Sequence, residues 1–143
     1  MDWKECLEGE VSAVSRNAEI ARSLMQLCKA RREIADGMPR KYPALVAEVY
    51  YEIIKELATA LLSLRGYKSY SHKCLASFLE KFYPDRLSGK EIRMIDTLRV
   101  IRNDIGYRGV FTGQDFLERN EKEIKEVMEK LFGIVEEELK GAD

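Results

Sequence analysis

The chain is poor in the residues from which most catalytic sites are built. It holds one histidine, His72, and three cysteines without CxxC spacing, and it has no GxxxxGK[ST] or GxGxxG string. A Ser/His/Asp triad, a multi-histidine metal site and an HExxH zinc helix therefore all lack parts, and no glycine-rich loop is present to cradle phosphate. The reading includes no metal and no cofactor. The odd count of Cys6, Cys28 and Cys74 does not suit a secreted disulfide framework, which points to a reducing, cytoplasmic setting. With 143 residues, 45% of them hydrophobic, the chain can bury a core without disulfides, and the expectation is a single domain over residues 1–143. No run approaches the roughly 20 uncharged residues of a membrane span. The opening Met1-Asp2-Trp3-Lys4-Glu5 carries acids where a signal peptide has a basic stretch, so neither export nor membrane insertion is expected.

Proline is scarce too. Pro39, Pro43 and Pro84 each fall where the apolar pattern stops, so they separate helices instead of kinking them. Five helices are predicted. In the first, Glu10 to Asp36, residues Val14, Ala18, Ala21, Met25 and Cys28 recur at steps of three and four, with Gly37 as terminator. The second runs from Pro43 to Arg65 with a stripe of Val46, Val49, Ile53, Leu57, Ala60 and Leu64, and Gly66 ends it. Ser71 reads as the N-cap of a short third helix to Phe82, with Leu75, Phe78 and Leu79 inward. Ser88 with Glu91 forms a capping box for the fourth, whose stripe is Met94, Leu98, Ile101 and Ile105. The fifth spans Gln114 to Lys140, with Leu117, Ile124, Met128, Leu131 and Val135 inward. The only β-leaning stretch, Tyr107 to Thr112, is bracketed by glycines and reads as a loop. The expected fold is all-α, an up-and-down bundle of about five helices with a long antiparallel N-terminal hairpin.

A net charge of −1 excludes a polycation, but the charge is unevenly spread. Leu62 to Gly113 holds ten Lys/Arg against five Asp/Glu, and Gln114 to Asp143 holds five against ten. Either a cationic layer packs beside an anionic last helix, or the basic middle binds an anion. His72 follows the Ser71 cap, and closing the bundle is its plain role, with proton transfer the alternative.

The segment Arg99-Val100-Ile101-Arg102-Asn103-Asp104-Ile105-Gly106-Tyr107-Arg108-Gly109 is denser in polar and small residues than the rest of a helix pattern allows. Asn103 and Tyr107 share one helical face, while Arg99, Arg102 and Gly106 share the neighbouring one. A glycine inside a helix costs about 1 kcal/mol relative to alanine, so Gly106 marks either a helix end or a backbone that something approaches closely. An arginine can clamp phosphate, an asparagine can orient a phosphate or sugar oxygen, and a tyrosine can stack on a base. The competing account is a helix terminus at which Arg102 pairs with Asp104 or Asp96.

Over roughly Val14 to Leu139 the chain resembles the HEPN family of helical-bundle toxins and RNA-processing ribonucleases. The resemblance rests on the long first helix pair, the turn Arg65-Gly66-Tyr67-Lys68-Ser69-Tyr70-Ser71-His72, and the helix bearing Arg102-Asn103-Asp104-Ile105-Gly106-Tyr107. In the family an arginine, often followed by Asn or Asp, precedes a histidine by four to six residues. Here Arg102 and Asn103 match, and Tyr107 stands where the histidine would be. The resemblance implies a homodimer that binds RNA or a nucleotide at an interface cleft. Arg102, Asn103 and Tyr107 would be its catalytic-type residues, and Arg99, Arg102 and Arg108 its nucleic-acid contacts. It also implies the toxin role of a toxin–antitoxin pair with ribonuclease activity weak or lost, because a tyrosine with an ordinary pKa of about 10 is a poor base near neutrality. The alternatives are an active metal-independent endoribonuclease, using Arg102 with Tyr107 or with His72, and a non-catalytic partner of a minimal nucleotidyltransferase.

Overall fold

The computed structural model describes residues 1–109, 111 and 113–142. In chain order it consists of α1 (Trp3–Gly9), β1 (Val11–Ala13), α2 (Ala18–Gly37), α3 (Pro43–Arg65), β2 (Tyr67–Ser69), α4 (Lys73–Phe82), α5 (Gly89–Arg108) and α6 (Gln114–Ala142). Helix ends follow local chemistry. The Asp2 carboxylate accepts from Glu5 N at 2.8 Å and the Asn17 side chain from Ile20 N at 3.0 Å, which start α1 and α2. Pro43 occupies the first position of α3, where its missing N–H costs nothing. The Ser88–Glu91 capping box opens α5 as expected.

Helix α3 is the hub of the bundle. Tyr50, Tyr51, Ile53, Ile54, Leu57, Ala58, Leu61 and Leu62 are all buried, so apolar residues surround most of its circumference, as in a helix packed on several sides. It contacts α2, α4, α5 and α6. Against α2, Asn17 N donates to Ser63 O at 3.0 Å and Cys28 Sγ to Ile53 O at 3.6 Å, so one helix ascends as the other descends. Gly66 closes α3 in the left-handed conformation, φ 83°, and a side chain there would meet Val14 O at 2.9 Å. That close approach lets Val14 N donate to Gly66 O at 2.8 Å and brings β1 alongside β2. The two strands pair antiparallel, with Val11 opposite Ser69 and Ala13 opposite Tyr67.

The expected architecture is corrected on three counts. The described residues form six helices instead of about five. The chain opens on a short helix and a strand, not on a long antiparallel hairpin, and α2 begins only at Ala18. Residues 10–17, expected to be helical, contain β1, and Val14 is exposed instead of lining a core stripe. The strand is invisible to periodicity because three residues are too few to display alternation, and its partner lies far along the chain.

The thiols also depart from expectation. Cys6 of α1 and Cys74 of α4 form a disulfide with Cα atoms 5.9 Å apart, closing a sequence separation of 68. Trp3 reinforces this seam, its ring 5.6 Å from both Phe78 and Phe82 and 5.2 Å from Tyr67. Only Cys28 is left as a thiol, buried, with burial pushing its pKa up to about 12. The bond removes the argument from thiols to a reducing compartment. Among the described residues no helix is long and apolar enough to cross a membrane.

The basic middle and acidic tail meet across a helix seam. Arg65 donates to Tyr83 Oη and to Glu138, each at 3.0 Å, and Tyr83 Oη donates to the same carboxylate at 2.7 Å. Arg86 grips Glu137 with two nitrogens, at 2.7 and 3.2 Å. Lys130 of α6 returns to Glu91 of the capping box at 2.9 Å. A cationic layer packed beside an anionic helix accounts for these residues.

Candidate functional site

The remaining cations of the basic stretch behave differently. Asp96 is taken by Arg99, Nε to Oδ1 2.9 Å, and Asp104 faces Arg108 at 3.7 Å. Arg102, half-buried between them in sequence, has no ion pair or hydrogen bond among the described residues. Its guanidinium lies back over its own helix, so that a side chain at Gly106 would come within 2.8 Å of Arg102 Nη1. The expected close approach to the Gly106 backbone is thus made by Arg102 itself. Helix α5 ends two residues later, with Gly109 as its left-handed cap at φ 63°.

Arg102 lines a cavity of about 240 Å³ with Arg31 and Ile34 of α2 and Glu48, Val49 and Glu52 of α3. Arg31 Nη1 is buried there without a hydrogen-bond partner. The rest of the Arg31 side chain is engaged inside the protein, where its charge acts on Glu52 and on Cys28. Glu52 is held below the usual carboxylate range: burial works to raise it, and Lys55, 2.8 Å away, together with Arg31, outweighs that.

Tyr51 and His72, their rings 6.3 Å apart, lie within electrostatic reach of Arg102. The Tyr51 hydroxyl is buried without a partner, and burial pushes its pKa up to about 12 against the pull of Arg99 and Arg102. It is therefore a neutral donor or acceptor, not a base. His72 is the N-cap residue of α4, while Ser71, expected in that role, lies one residue earlier and accepts from Lys73 N at 3.2 Å. His72 is exposed as a residue, yet the protein packed against it is the largest cause of a pKa below the ordinary histidine value. Lys55 and Arg102 lower it further, Glu52 opposes them, and Arg99 adds to the depression. The imidazole is thus mainly neutral near pH 7 and able to accept a proton.

Of the residues singled out from the sequence, Arg99 and Arg102 join this cluster. Asn103 is half-buried and makes no hydrogen bond among the described residues. Tyr107 projects into solvent at 82% exposure, at the far end of α5 beside the exposed Arg108. The stretch read as a loop from Tyr107 begins inside α5, and its Val110 and Thr112 lie outside the described residues. The sequence reading missed Arg31, Tyr51, Glu52 and Lys55. A signal for the α3 members existed: Glu48, Glu52, Lys55 and Thr59 break an otherwise apolar helix at steps of three and four, a polar stripe in a hub helix.

Comparison with protein-family models, with curated proteins and with solved structures found no match to this chain.

Proposed function

We propose that this chain is a HEPN-like protein that binds RNA or a nucleotide through phosphate at the Arg102 cluster, as the toxin-like member of a pair. The observation that carries the reading is Arg102 itself: a half-buried arginine without an ion pair or hydrogen bond among the described residues, lining a cavity that Glu48 and Glu52 share. A guanidinium left without an ion pair is suited to clamp a phosphate with its fork of N–H donors. The resemblance around Arg102-Asn103 supports the same ligand class. A dimer is supported by α2, on which Ile20, Leu27 and Ile34 recur every seven residues and are 46, 51 and 62% exposed. Ile34 also borders the Arg102 cavity, so a second copy seated on this stripe would lie against the site.

The test is fluorescence anisotropy of a labelled single-stranded RNA with the full chain. Binding that Arg102→Ala weakens at least tenfold supports the reading, and equal binding by both proteins overturns it. Sedimentation at micromolar concentration should show a dimer that Leu27→Glu dissociates.

Cleavage is the second reading, supported by the position of the His72 imidazole within electrostatic reach of Arg102. In that chemistry His72 removes the ribose 2′-hydroxyl proton, the 2′-oxygen attacks phosphorus, and Arg102 stabilises the charge that builds on the phosphate as the P–O5′ bond breaks and the 5′-oxygen takes a proton from water. Metal-independent cleavage lost in His72→Ala but kept in Tyr107→Phe would support it. A protein that neither binds nor cleaves RNA but co-purifies with a minimal nucleotidyltransferase would replace both readings by the interaction role.

A further inference from the structure

A second cavity, of about 600 Å³, lies further along α3, bordered by the start of α2 and the turn into α4. Its walls mix two kinds of surface. Val14, Ile20, Leu62 and Leu75 supply apolar area, and Lys55, Glu56, Thr59 and His72 supply polar groups. Its volume falls in the range of small-molecule sites, which combine apolar walls with a few placed polar groups. Two of the apolar residues, Val14 and Ile20, are 44 and 46% exposed, so the cavity has uncovered hydrophobic surface at its mouth.

The two cavities are neighbours. Lys55 and His72 line the larger one. Lys55 is paired to Glu52, which lines the smaller one with Arg102, and Arg102 acts electrostatically on His72. The polar stripe from Glu48 to Ser63 runs beneath both, about 22 Å of helix at 1.5 Å per residue. A ligand spanning this track would need an anionic group at the Arg31–Arg102 end. At the other end it would need a flat, partly apolar group with hydrogen-bonding edges. Glu56 and the Thr59 oxygen are acceptors for hydroxyl or amino donors there, since the Thr59 hydroxyl already donates to Lys55 O at 2.8 Å.

We propose that the larger cavity holds the nucleoside adjoining the phosphate bound at Arg102, so that a single-stranded ribonucleotide lies along α3 with its sugar at Glu56 and its base against Val14, Ile20 and Leu75. This deepens the RNA-binding reading and rests on it. Ile20 also heads the α2 stripe proposed for the dimer, so Ile20→Gln is read beside its sedimentation and Thr59→Trp, off that stripe, tests the pocket alone. The nucleoside half does not depend on Tyr107 or Arg108.

The experiment measures anisotropy of a labelled hexaribonucleotide with wild type, Arg102→Ala, Ile20→Gln and Thr59→Trp, each variant checked by its melting curve. Ile20 occupies the third position of α2, where a glutamine suits the helix start, so this variant keeps its fold if the bulkier Thr59→Trp does not. The expected result is tenfold or greater weakening in Thr59→Trp and three- to tenfold in Ile20→Gln. Unlabelled 5′-AMP should compete for wild type and lose that ability in Ile20→Gln, whereas inorganic phosphate should compete equally with both. If both cavity variants bind as wild type while Arg102→Ala does not, the nucleoside pocket is wrong and the phosphate site stands. If wild type binds no RNA, both fall together.

Discussion

Arg65 and Arg102 come from the same basic stretch and end in opposite situations. Arg65 lies over the rings of Phe82 and Tyr83, 4.7 and 4.9 Å from their centroids, and hydrogen-bonds Tyr83 and Glu138. Arg102 lies over a glycine and forms no ion pair among the described residues, although Glu48 and Glu52 line the same cavity. The neighbours explain the difference: α6 offers Glu137 and Glu138 to the α3–α4 seam, while on the α2–α3–α5 side Asp96 and Asp104 are already engaged by Arg99 and Arg108. One region has its charges matched internally and serves stability. The other leaves Arg102 without an ion pair among the described residues, the feature on which the proposed phosphate site rests.

The largest expected effect falls on the element shared by both regions. Helix α4 leads from His72 at the open face to Tyr83 at the seam, and Cys74 ties it to α1. Cys6→Ser should lower unfolding free energy by up to about 4 kcal/mol, because the bond closes a long loop in the unfolded chain. Urea unfolding measures it, and a loss below about 1 kcal/mol would show that aromatic packing alone holds α1. Next is Arg65→Ala, expected to cost about 2 kcal/mol from lost charged hydrogen bonds and ring contacts, with RNA binding unchanged.

Arg102→Ala should do the reverse, weakening RNA binding at least tenfold, about 1.4 kcal/mol, with the melting temperature held within a degree. Equal melting losses in the two arginine variants would break the comparison. Gly106→Ala sharpens it further. The residue lies within α5, so alanine should add about 0.5–1 kcal/mol of stability, while the new methyl displaces the Arg102 guanidinium and reduces binding a few-fold. Calorimetry and anisotropy on one preparation would separate these opposite signs.

The smallest effect concerns pH. His72 has a folded pKa below its unfolded value, so its contribution is fully present above about pH 6.5 and is lost as pH falls towards the folded pKa, because the unfolded chain protonates first. Exposure keeps the effect slight. His72→Asn should flatten a small decline in melting temperature below pH 6.5, and an unchanged profile would place the decline elsewhere.

Much of the secondary structure was legible because its signals are local. Pro43 and Gly66 bound α3, Ser88 and Glu91 open α5, and Leu117, Ile124, Met128, Leu131 and Val135 are buried on α6. The start of α2 is not legible because Glu10 to Asn17 carries an apolar spacing compatible with a helix, and only pairing with β2 overrides it. Half of the site was equally legible: Arg99, Arg102 and Gly106 stood out as polar or small residues in a helix pattern. Arg31 and Tyr51 did not, because each is unremarkable until α2, α3 and α5 pack together, and Glu52 and Lys55 are marked only by the polar stripe they form on α3.

By itself, then, the amino-acid order determined where most helices start and stop and which arginines are unusual, since caps, glycines and apolar periodicity act over a few residues. Only the tertiary structure decided which arginine finds an acid, that Cys6 meets Cys74, and that His72 rather than Tyr107 stands beside Arg102. Those outcomes depend on contacts between residues distant in sequence, and such contacts are settled by how the helices pack around α3.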